Sequence, residues 1–250
     1  MTTIATRSHL DVATHVAATI DGIFAMIDGW RDLLEDRWRA DASLSAVRVD
    51  PVVEAFAVPA VSGDTLLTGA GFVATPGALA DAEWHLAWWL GGSGADRSVR
   101  RLATIDDPSH EQFRDYTALE WWRVPTATGT RHLTGPYVDY VCTDDYTVTI
   151  TTPVRIGDRI VGVVGADALV DRLERTLLPV MRTGATPATL VNASGRVVTS
   201  TDARREPGSI LRADGLGDAL RRPVGPRTAL PGGAAVVPCG DTSLALVVGT

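Results

Sequence analysis

The chain has 250 residues, of which 45% are apolar and 21% are charged, and its formal net charge is -7. This composition is that of a folded globular protein with a sizeable core, and the length suits one large module plus a smaller lobe. The acidic balance argues against nucleic-acid binding, and the absence of lysine excludes Schiff-base chemistry and a Walker lysine.

Catalytic and metal-binding patterns are sparse in this sequence. The two cysteines, Cys142 and Cys239, are far apart and form no CxxC pair, which weakens a disulfide or zinc interpretation. The five histidines show no HxH or HExxH spacing, and no G-x-S-x-G nucleophile elbow occurs. We therefore expect a binding protein without catalytic chemistry, cofactor or metal.

The N-terminal segment predicts one long helix. Apolar residues recur at helical spacing from Ser8 to Arg39, and Ser8 with Asp11 can cap the first turn. At roughly 1.5 Å per residue the helix would be about 45 Å long, which predicts a spine or a dimer contact. The segment lacks a basic start, and no window approaches about 18 to 20 consecutive apolar residues. These features predict a soluble, cytoplasmic chain without a membrane span.

Short strands are expected after a second helix. That helix is predicted from Ser43 to Phe56, with Pro51 in a first turn. Three runs of branched and aromatic residues, separated by Gly, Pro and Ser, then predict a β-meander. A further helix is expected within His110 to Trp122, and Pro125 is expected to close this segment before a loop from Thr126 to Thr134. The meander strands are predicted at Leu66 to Ala74, Trp84 to Leu90 and Val99 to Thr104.

The stretch from Thr134 to Leu178 organises the rest of the chain. It opens with a Gly-Pro turn and holds two β-rich runs joined at Gly157-Asp158, a pair that favours a tight hairpin. The second run, IVGVVGAD, ends at Asp167 and passes into a helix predicted from Leu169 to Met181. From Thr186 onward, further strand pairs flank a loop and a short helix, which predicts a second, smaller sheet module.

Asp167 is the residue of this stretch that most clearly suggests a ligand. With a two-residue turn in the hairpin, Asp167 stands opposite Val148 and shares a face with Val163 and Gly165. An unpaired charge among apolar residues on a central strand would be costly. The alternative is that Asp167 caps the helix that starts near Ala168.

The ordered set of segments resembles the Cache sensory domains, which are PAS-like. The resemblance is carried by the long helix, an aromatic meander, the Trp-Trp pair, GPYVDY, YTVTITTPV, GVVGAD and LERTLLP, and LVNASGRVVTSTD is similar to the second lobe of two-module members. It implies an α+β fold with the long helix on a PAS-like antiparallel sheet and a smaller second α/β lobe. The expected division is a helical spine (1–60), a ligand-binding module (61–183) and a β-rich lobe (184–250).

The resemblance also implies a function. Cache domains normally sit outside the cell between two membrane helices and bind amino acids, amines or carboxylates; this chain shows neither flanking helix nor output domain, so a free-standing soluble sensor is expected. In amine- and amino-acid-binding members two aspartates hold the ammonium group, and the matching residues here are Asp139 and Asp167. Two carboxylates give an ammonium group several acceptors and a compensating charge. Asp139 could equally be a turn or strand-edge residue.

The carboxylate-binding half departs from the family pattern. Amino-acid-binding members carry an arginine shortly before a Trp-Tyr type pair, whereas this chain has Glu120 there and Arg123 after Trp121 and Trp122. A standard amino-acid clamp is therefore not expected. Arg123 or Arg131 is the alternative.

The remaining aromatic and acidic residues suit an amine, a polyamine or a quaternary ammonium ligand through cation–π contact and ion pairing. Adjacent residues cannot both face inward on a strand, so we expect one of Trp121 and Trp122 to line the pocket and the other to pack. Tyr116 and Tyr137 are further candidates. Ordinary core packing is the alternative for each of these aromatic residues.

Two other functions stay open. One is a ligand-independent module that forms a homodimer through the Ser8 to Arg39 helix and regulates a separately encoded output protein. The other is an enzyme that uses Asp139, Asp167 or Glu120 as acid or base. The expected partner is a small-molecule amine or amino acid, with neither nucleic acid nor a membrane.

Overall fold

A computed structural model describes residues 7–41, 43–92, 98–139 and 146–249. The predicted α+β class is confirmed, because the chain has a long N-terminal helix and two antiparallel sheets. Its backbone contacts define two compact units, one made of Met1–Gly22, Gly135–Val148 and Leu169–Thr250, the other of Ile23–Thr134 and Thr149–Ala168. The three-part division of the chain stays a prediction.

The first helix, α1, spans His9–Ala40 as the sequence predicts. Its first turn has a reciprocal cap: the Ser8 hydroxyl donates to the Asp11 carboxylate at 2.7 Å, and the Asp11 amide donates to the Ser8 hydroxyl at 3.2 Å. Buried apolar side chains recur along one face from Val12 to Trp38. By length and composition alone α1 could cross a membrane; 39% of its apolar window is buried, and a core helix meets the same test.

The first sheet has six strands, and their order places β1 and β6 side by side in the middle. The strands are β1 Leu67–Ala74, β2 Leu86–Gly91, β3 Val99–Arg101, β4 His132–Val138, β5 Tyr146–Ile156 and β6 Arg159–Leu169, ordered β3-β2-β1-β6-β5-β4. The three predicted meander strands form, although β2 begins at Leu86 rather than Trp84 and β3 ends at Arg101 rather than Thr104.

Helices cover one face of this sheet. The second helix, α2, spans Ala46–Val61, later than predicted at both ends, and packs against β1 and β2. Trp30 of α1 stacks on Phe56 of α2 with ring centroids 4.9 Å apart, and Trp38 of α1 lies 5.6 Å from Phe72 of β1. Because side chains alternate along a strand, the odd-numbered residues of β1 face the opposite side.

The predicted hairpin at Gly157-Asp158 is confirmed. β5 ends and β6 begins on either side of these residues, and Gly157 has a φ of +59°, which glycine adopts without steric penalty. Helix α4, Val170–Met181, follows β6 directly. One expectation is wrong: Gly135 and Pro136 lie inside β4 rather than in a turn. At a φ of +105°, Gly135 lets the strand continue through a conformation that other residues avoid.

The segment before β4 folds differently from the prediction. Residues Tyr116–Ala118 form a 3-10 turn, and helix α3 spans Glu120–Thr128, so it continues past Pro125. Proline cannot donate to the carbonyl four residues earlier, that of Trp121. The Thr151 hydroxyl of β5 donates to that carbonyl at 2.8 Å. A tertiary contact therefore fills the acceptor that Pro125 leaves open.

The second sheet forms the strand pairs expected after Thr186, with helix α5, Leu216–Arg221, between them. Its core is built from aliphatic side chains of the strands, of α5 and of the connecting loops. The strands are β7 Ala188–Asn192, β8 Val197–Ser200, β9 Thr228–Ala229, β10 Ala235–Pro238 and β11 Leu244–Val248, ordered β8-β7-β11-β10-β9.

Candidate functional site

Three neighbouring glycines, Gly69, Gly71 and Gly165, lie on the sheet face that points away from Phe72, and together they form the glycine floor. Gly69 and Gly71 of β1 pair with Asp167 and Gly165 of β6. A Cβ on Gly69 would lie 2.6 Å from Nε1 of Trp88 and 2.7 Å from Oδ2 of Asp167, closer than Cβ atoms approach other atoms. Both polar atoms therefore lie directly over Gly69, where any side chain would displace them.

Asp167 is a buried carboxylate, 4% exposed, and its Oδ1 accepts a hydrogen bond from the Thr149 hydroxyl at 2.6 Å. The side chain that contacts Asp167 thus belongs to Thr149, the residue after the predicted Val148. The helix-cap alternative is wrong: β6 continues to Leu169, which precedes α4 without a side-chain cap.

The indole of Trp88 adds a hydrogen-bond donor to this face. Trp88 is 5% exposed, and its Nε1 is buried without a hydrogen-bond partner among the described residues. Leaving such a donor unpaired costs about 1–3 kcal/mol, and an unpaired donor in a native fold commonly marks a place for water, an ion or a ligand. The site thus holds an acceptor, Asp167, beside an unused donor.

Helix α3 lies over the glycine floor. Cγ2 of Thr151 is 2.7 Å from the position of a Cβ on Gly165, and the hydroxyl of the same threonine holds the Trp121 carbonyl. Trp121 and Trp122 are both half-buried, and Nε1 of Trp122 is buried without a partner among the described residues. The premise that this pair lies on a strand is wrong, because both residues belong to the first turn of α3.

Tyr116 packs beside this helix and is tied to the sheet backbone. Its hydroxyl donates to the Ala74 carbonyl at 2.8 Å, and burial raises the pKa of Tyr116 to about 12. Its ring centroid lies 6.2 Å from that of Trp122 and 5.2 Å from that of Trp84. The Tyr116 hydroxyl thus already donates its hydrogen bond within the protein, so a ligand would contact the Tyr116 ring.

Asp139 and Tyr137 belong to the other compact unit. Asp139 directly follows β4 and is 4% exposed, and Tyr137, in β4, is half-buried. A carboxylate so deeply buried requires partners, which an ordinary turn residue in water would not. The convergence of Asp139 and Asp167 on one ammonium group stays a prediction.

Three charged residues predicted for the site, Glu120, Arg123 and Arg131, lie in α3 or shortly after it. Glu120 is exposed, and its Oε1 lies 3.0 Å from Nε2 of His132. Arg123 is exposed. The guanidinium carbon of Arg131 lies 4.4 Å from the centroid of the Phe24 ring of α1. A carboxylate clamp by Arg123 or Arg131 stays a prediction.

Within the described ranges, no group of three or more His, Cys, Asp or Glu could hold a metal ion. Two clefts of about 610 and 400 Å³ open on the loops and helix of the second sheet, and none of the predicted site residues lines them. Gly69, Trp88 and Thr149 are not among the site residues predicted from the sequence. Strand alternation could have placed Trp88 and Gly69 on inward faces, but the register that brings them to Asp167 is not readable from local pattern.

Comparison with known proteins fits this architecture. Residues 100–175 match the family model of the methyl-accepting chemotaxis protein-like first PDC sensor domain. The fold is similar to that of methyl-accepting chemotaxis protein X, at 18% identity over 96% of this chain and 93% of that chain, with a TM-score of 0.68. A search of curated proteins found no match.

Two similar structures contain ligands. One is the ligand-binding domain of the Pseudomonas fluorescens chemoreceptor CtaA in complex with L-valine, at 15% identity, 95% and 91% coverage of this chain and that chain, and a TM-score of 0.58. The other is that of the Pseudomonas aeruginosa amino acid chemoreceptor PctC in complex with GABA, at 16% identity, 95% and 96% coverage, and a TM-score of 0.53.

The two antiparallel sheets and the long N-terminal helix thus have the fold of the solved chemoreceptor ligand-binding domains, and residues 100–175 match a PDC sensor domain. The resemblance noted in the sequence is thereby confirmed.

Proposed function

We propose that this domain is a sensor of a small-molecule amine or amino acid, whose ammonium group is bound by Asp167 and by Asp139. The observation that supports this proposal is the burial of Asp167 in the middle of the first sheet, where its Oδ2 lies over Gly69. A buried carboxylate is expensive to desolvate, and a bound ammonium group offsets that cost through charge-assisted hydrogen bonds.

The surroundings support a cationic ligand. Thr149 donates to Oδ1 of Asp167, which orients the carboxylate, and Oδ2 lies over Gly69. Thr151 holds the Trp121 carbonyl of α3 beside this face, and the rings of Trp121 and Trp122 would offer cation–π contact. L-valine and GABA, found in two structures of similar fold, both carry an amine.

A thermal-shift screen with primary amines, polyamines, quaternary amines and amino acids tests this proposal. We expect at least one amine to raise the melting temperature, because a ligand that binds only the folded state stabilises it. Asp167→Asn keeps the shape and the acceptor for Thr149 but removes the charge, so the shift should disappear. Asp171→Asn, on the exposed side of α4, is the matched control and should keep it.

The role of Asp139 is separable. Asp139→Asn should weaken the same ligand by a similar factor if both carboxylates hold the ammonium group. If Asp139→Asn binds the ligand as tightly as wild type, Asp139 does not belong to the site, whereas the role of Asp167 is unaffected. The absence of any shift across the whole panel would contradict the sensor proposal itself.

A second candidate function is dimerisation through α1, which would let the domain regulate a separate output protein. Two pairs of exposed residues lie seven positions apart on α1. One pair is Gly22 and Gly29, and the other is Met26 and Leu33, which are 37% and 54% exposed. This spacing is that of a helix seam that packs against a second copy. Sedimentation should show a dimer that Leu33→Glu dissociates; a monomer at about 100 µM wild-type protein, far above a typical working Kd, would contradict it.

A further inference from the structure

We propose that a cleft beside α5 binds a singly charged carboxylate with a hydrocarbon body, at a site that does not involve Asp167. This cleft, which we call the α5 cleft, has a volume of about 610 Å³, within the range of small-molecule sites. Its lining comes from α5, from the loop that follows α5, from β9 and from the turn after β9. All of these residues belong to one compact unit, and none of them belongs to the first sheet.

Part of the cleft lining is apolar. Val224, Leu230 and Pro231 contribute to it, and Val224 is 77% exposed, so its side chain still has apolar surface to bury. The Val224 amide donates to the Thr228 hydroxyl at 2.9 Å, which fixes the loop that carries this side chain. A ligand with a hydrocarbon body would cover Val224, and each CH2 group that it buries adds up to about 4-fold in affinity.

The three charged residues of the lining leave one positive charge uncompensated. Nη2 of Arg221 lies 2.7 Å from Oδ1 of Asp218, so these two residues neutralise each other. The side chain of Arg222 is exposed and has no ion pair or hydrogen bond with any residue that the structure describes. A cleft with one uncompensated guanidinium therefore attracts an anion of a single charge.

The charge of the surrounding segment also favours an anion. Residues 184–250 contain seven arginines and five acidic residues, whereas the whole chain has a formal net charge of -7. This segment is thus cationic within an acidic chain, and its field attracts anions to this part of the surface.

The shape of the uncompensated cation indicates a carboxylate. A guanidinium group presents parallel N–H donors that match the two oxygens of a carboxylate, and such charge-assisted pairs are stronger than neutral hydrogen bonds. A second negative charge on the ligand would find no further uncompensated cation among the described residues of the lining. The α5 cleft thus fits a monocarboxylate with an aliphatic chain, such as hexanoate.

Heteronuclear NMR titration of the wild-type chain with hexanoate, hexanamide, acetate and adipate tests the inference. Hexanoate should shift amide signals within residues 215–231 and bind about 5- to 10-fold more tightly than hexanamide, which lacks the charge. This factor is in the lower part of the range for hydrogen bonds to charged groups, because the cleft is open to water. Acetate, which lacks the hydrocarbon body, should bind more weakly than hexanoate, and adipate should bind no more tightly than hexanoate despite its second charge.

Arg222→Gln removes the charge from an exposed side chain and should lower the affinity for hexanoate by the same factor, whereas hexanamide binding should stay unchanged. Arg212→Gln is the matched control. Arg212 is also exposed and without an ion pair in the described part of the chain, but it lines the other cleft, of about 400 Å³. This control should keep the wild-type affinity.

Val224→Ser tests the apolar part of the lining at a position that is exposed. It should weaken hexanoate about 2- to 4-fold and leave acetate unchanged, because only hexanoate has a hydrocarbon body to cover this side chain. An unchanged ratio of the two affinities would overturn the hydrocarbon part of the inference.

Equal affinities for hexanoate and hexanamide, or an unchanged affinity in Arg222→Gln, overturn the inference. A loss of affinity in Arg212→Gln instead of Arg222→Gln overturns it too, because the ligand then occupies the other cleft. The absence of shifts within residues 215–231 at about 20 mM hexanoate, well above a millimolar Kd, also contradicts it. Asp167→Asn should bind hexanoate as wild type does, so this result does not depend on the proposed amine site.

Discussion

The two sheets differ in how they treat buried polar groups. From residue 188 to 248, no buried side-chain nitrogen or oxygen lacks a hydrogen-bond partner. Thr189 shares a hydrogen bond with Ser200 at 2.8 Å, and Thr242 donates to the Cys239 carbonyl at 2.6 Å. The first sheet instead buries the charge of Asp167 and leaves the Trp88 donor unused.

We propose that this difference separates residues that serve stability from residues that serve binding. The second sheet has an aliphatic core and threonines whose hydroxyls are hydrogen-bonded, so folding alone explains these core residues. Folding alone does not explain the polar groups around Gly69, because an apolar pair of similar shape would fold at least as well. Variants in both sheets test that separation.

The largest effect is expected from Leu246→Ala in the second sheet. Leu246 and its cross-strand partner Leu190 are both 0% exposed. The cavity and lost burial should reduce the free energy of unfolding by ~2–5 kcal/mol, measured by urea denaturation. Amine affinity of the folded fraction should stay unchanged; a large loss of affinity would break the separation of roles.

Gly69→Ala should damage both stability and binding in the first sheet. The new Cβ would meet Nε1 of Trp88 and Oδ2 of Asp167, so overpacking should cost ~1–3 kcal/mol and displace the binding groups. Gly22→Ala, on an exposed helix position where a Cβ meets nothing, is the control and should stabilise by ~0.5–1 kcal/mol. Unchanged amine binding in Gly69→Ala would place the ligand elsewhere.

Acid should affect the first sheet through Asp50 of α2. Its Oδ1 lies 2.7 Å from Nε2 of His85 and its Oδ2 lies 2.6 Å from Nη1 of Arg101. Burial acts to raise the pKa of Asp50, but the hydrogen bonds from His85 and Arg101 outweigh it and the net pKa is lowered.

A carboxyl group whose pKa is lower in the folded protein stabilises the fold at pH values above its unfolded pKa of 3.8. That stability is lost as the pH falls through the pKa of the folded protein. Asp50→Asn should therefore reduce the free energy of unfolding by ~1.5–3 kcal/mol near neutral pH, the range for hydrogen bonds to charged groups. The difference from wild type should shrink at a pH below the folded pKa. Denaturation at both pH values checks this, and an equal difference at each would contradict it.

The smallest effect is expected from Thr151→Val. Loss of the bond to the Trp121 carbonyl should cost ~1 kcal/mol and loosen α3, because Pro125 cannot take that acceptor. Hydrogen exchange in Glu120–Thr128 should rise more than in α4. The matched control is Thr176→Val at an exposed position of α4, where the hydroxyl bonds to the Arg172 carbonyl of the same helix, and its loss should leave α3 unchanged.

Periodicity and turn chemistry predicted much of the fold. The Ser8 and Asp11 cap and the Gly157-Asp158 hairpin are local signals, and both appear as expected. α3 could not be predicted, because its passage through Pro125 depends on Thr151, which is distant in sequence. Local pattern likewise identified Asp167 but not its partners, since the pairing that brings Gly69 and Trp88 to it is a property of the assembled sheet.

The most direct test of the account is calorimetric titration of the best amine from the screen into wild-type protein and Asp167→Asn. If Asp167 binds the ammonium group, the variant should lose at least about 30-fold in affinity while its melting temperature without ligand stays close to that of wild type. Equal affinity in the two proteins would show that the buried carboxylate does not hold the ligand and would contradict the account.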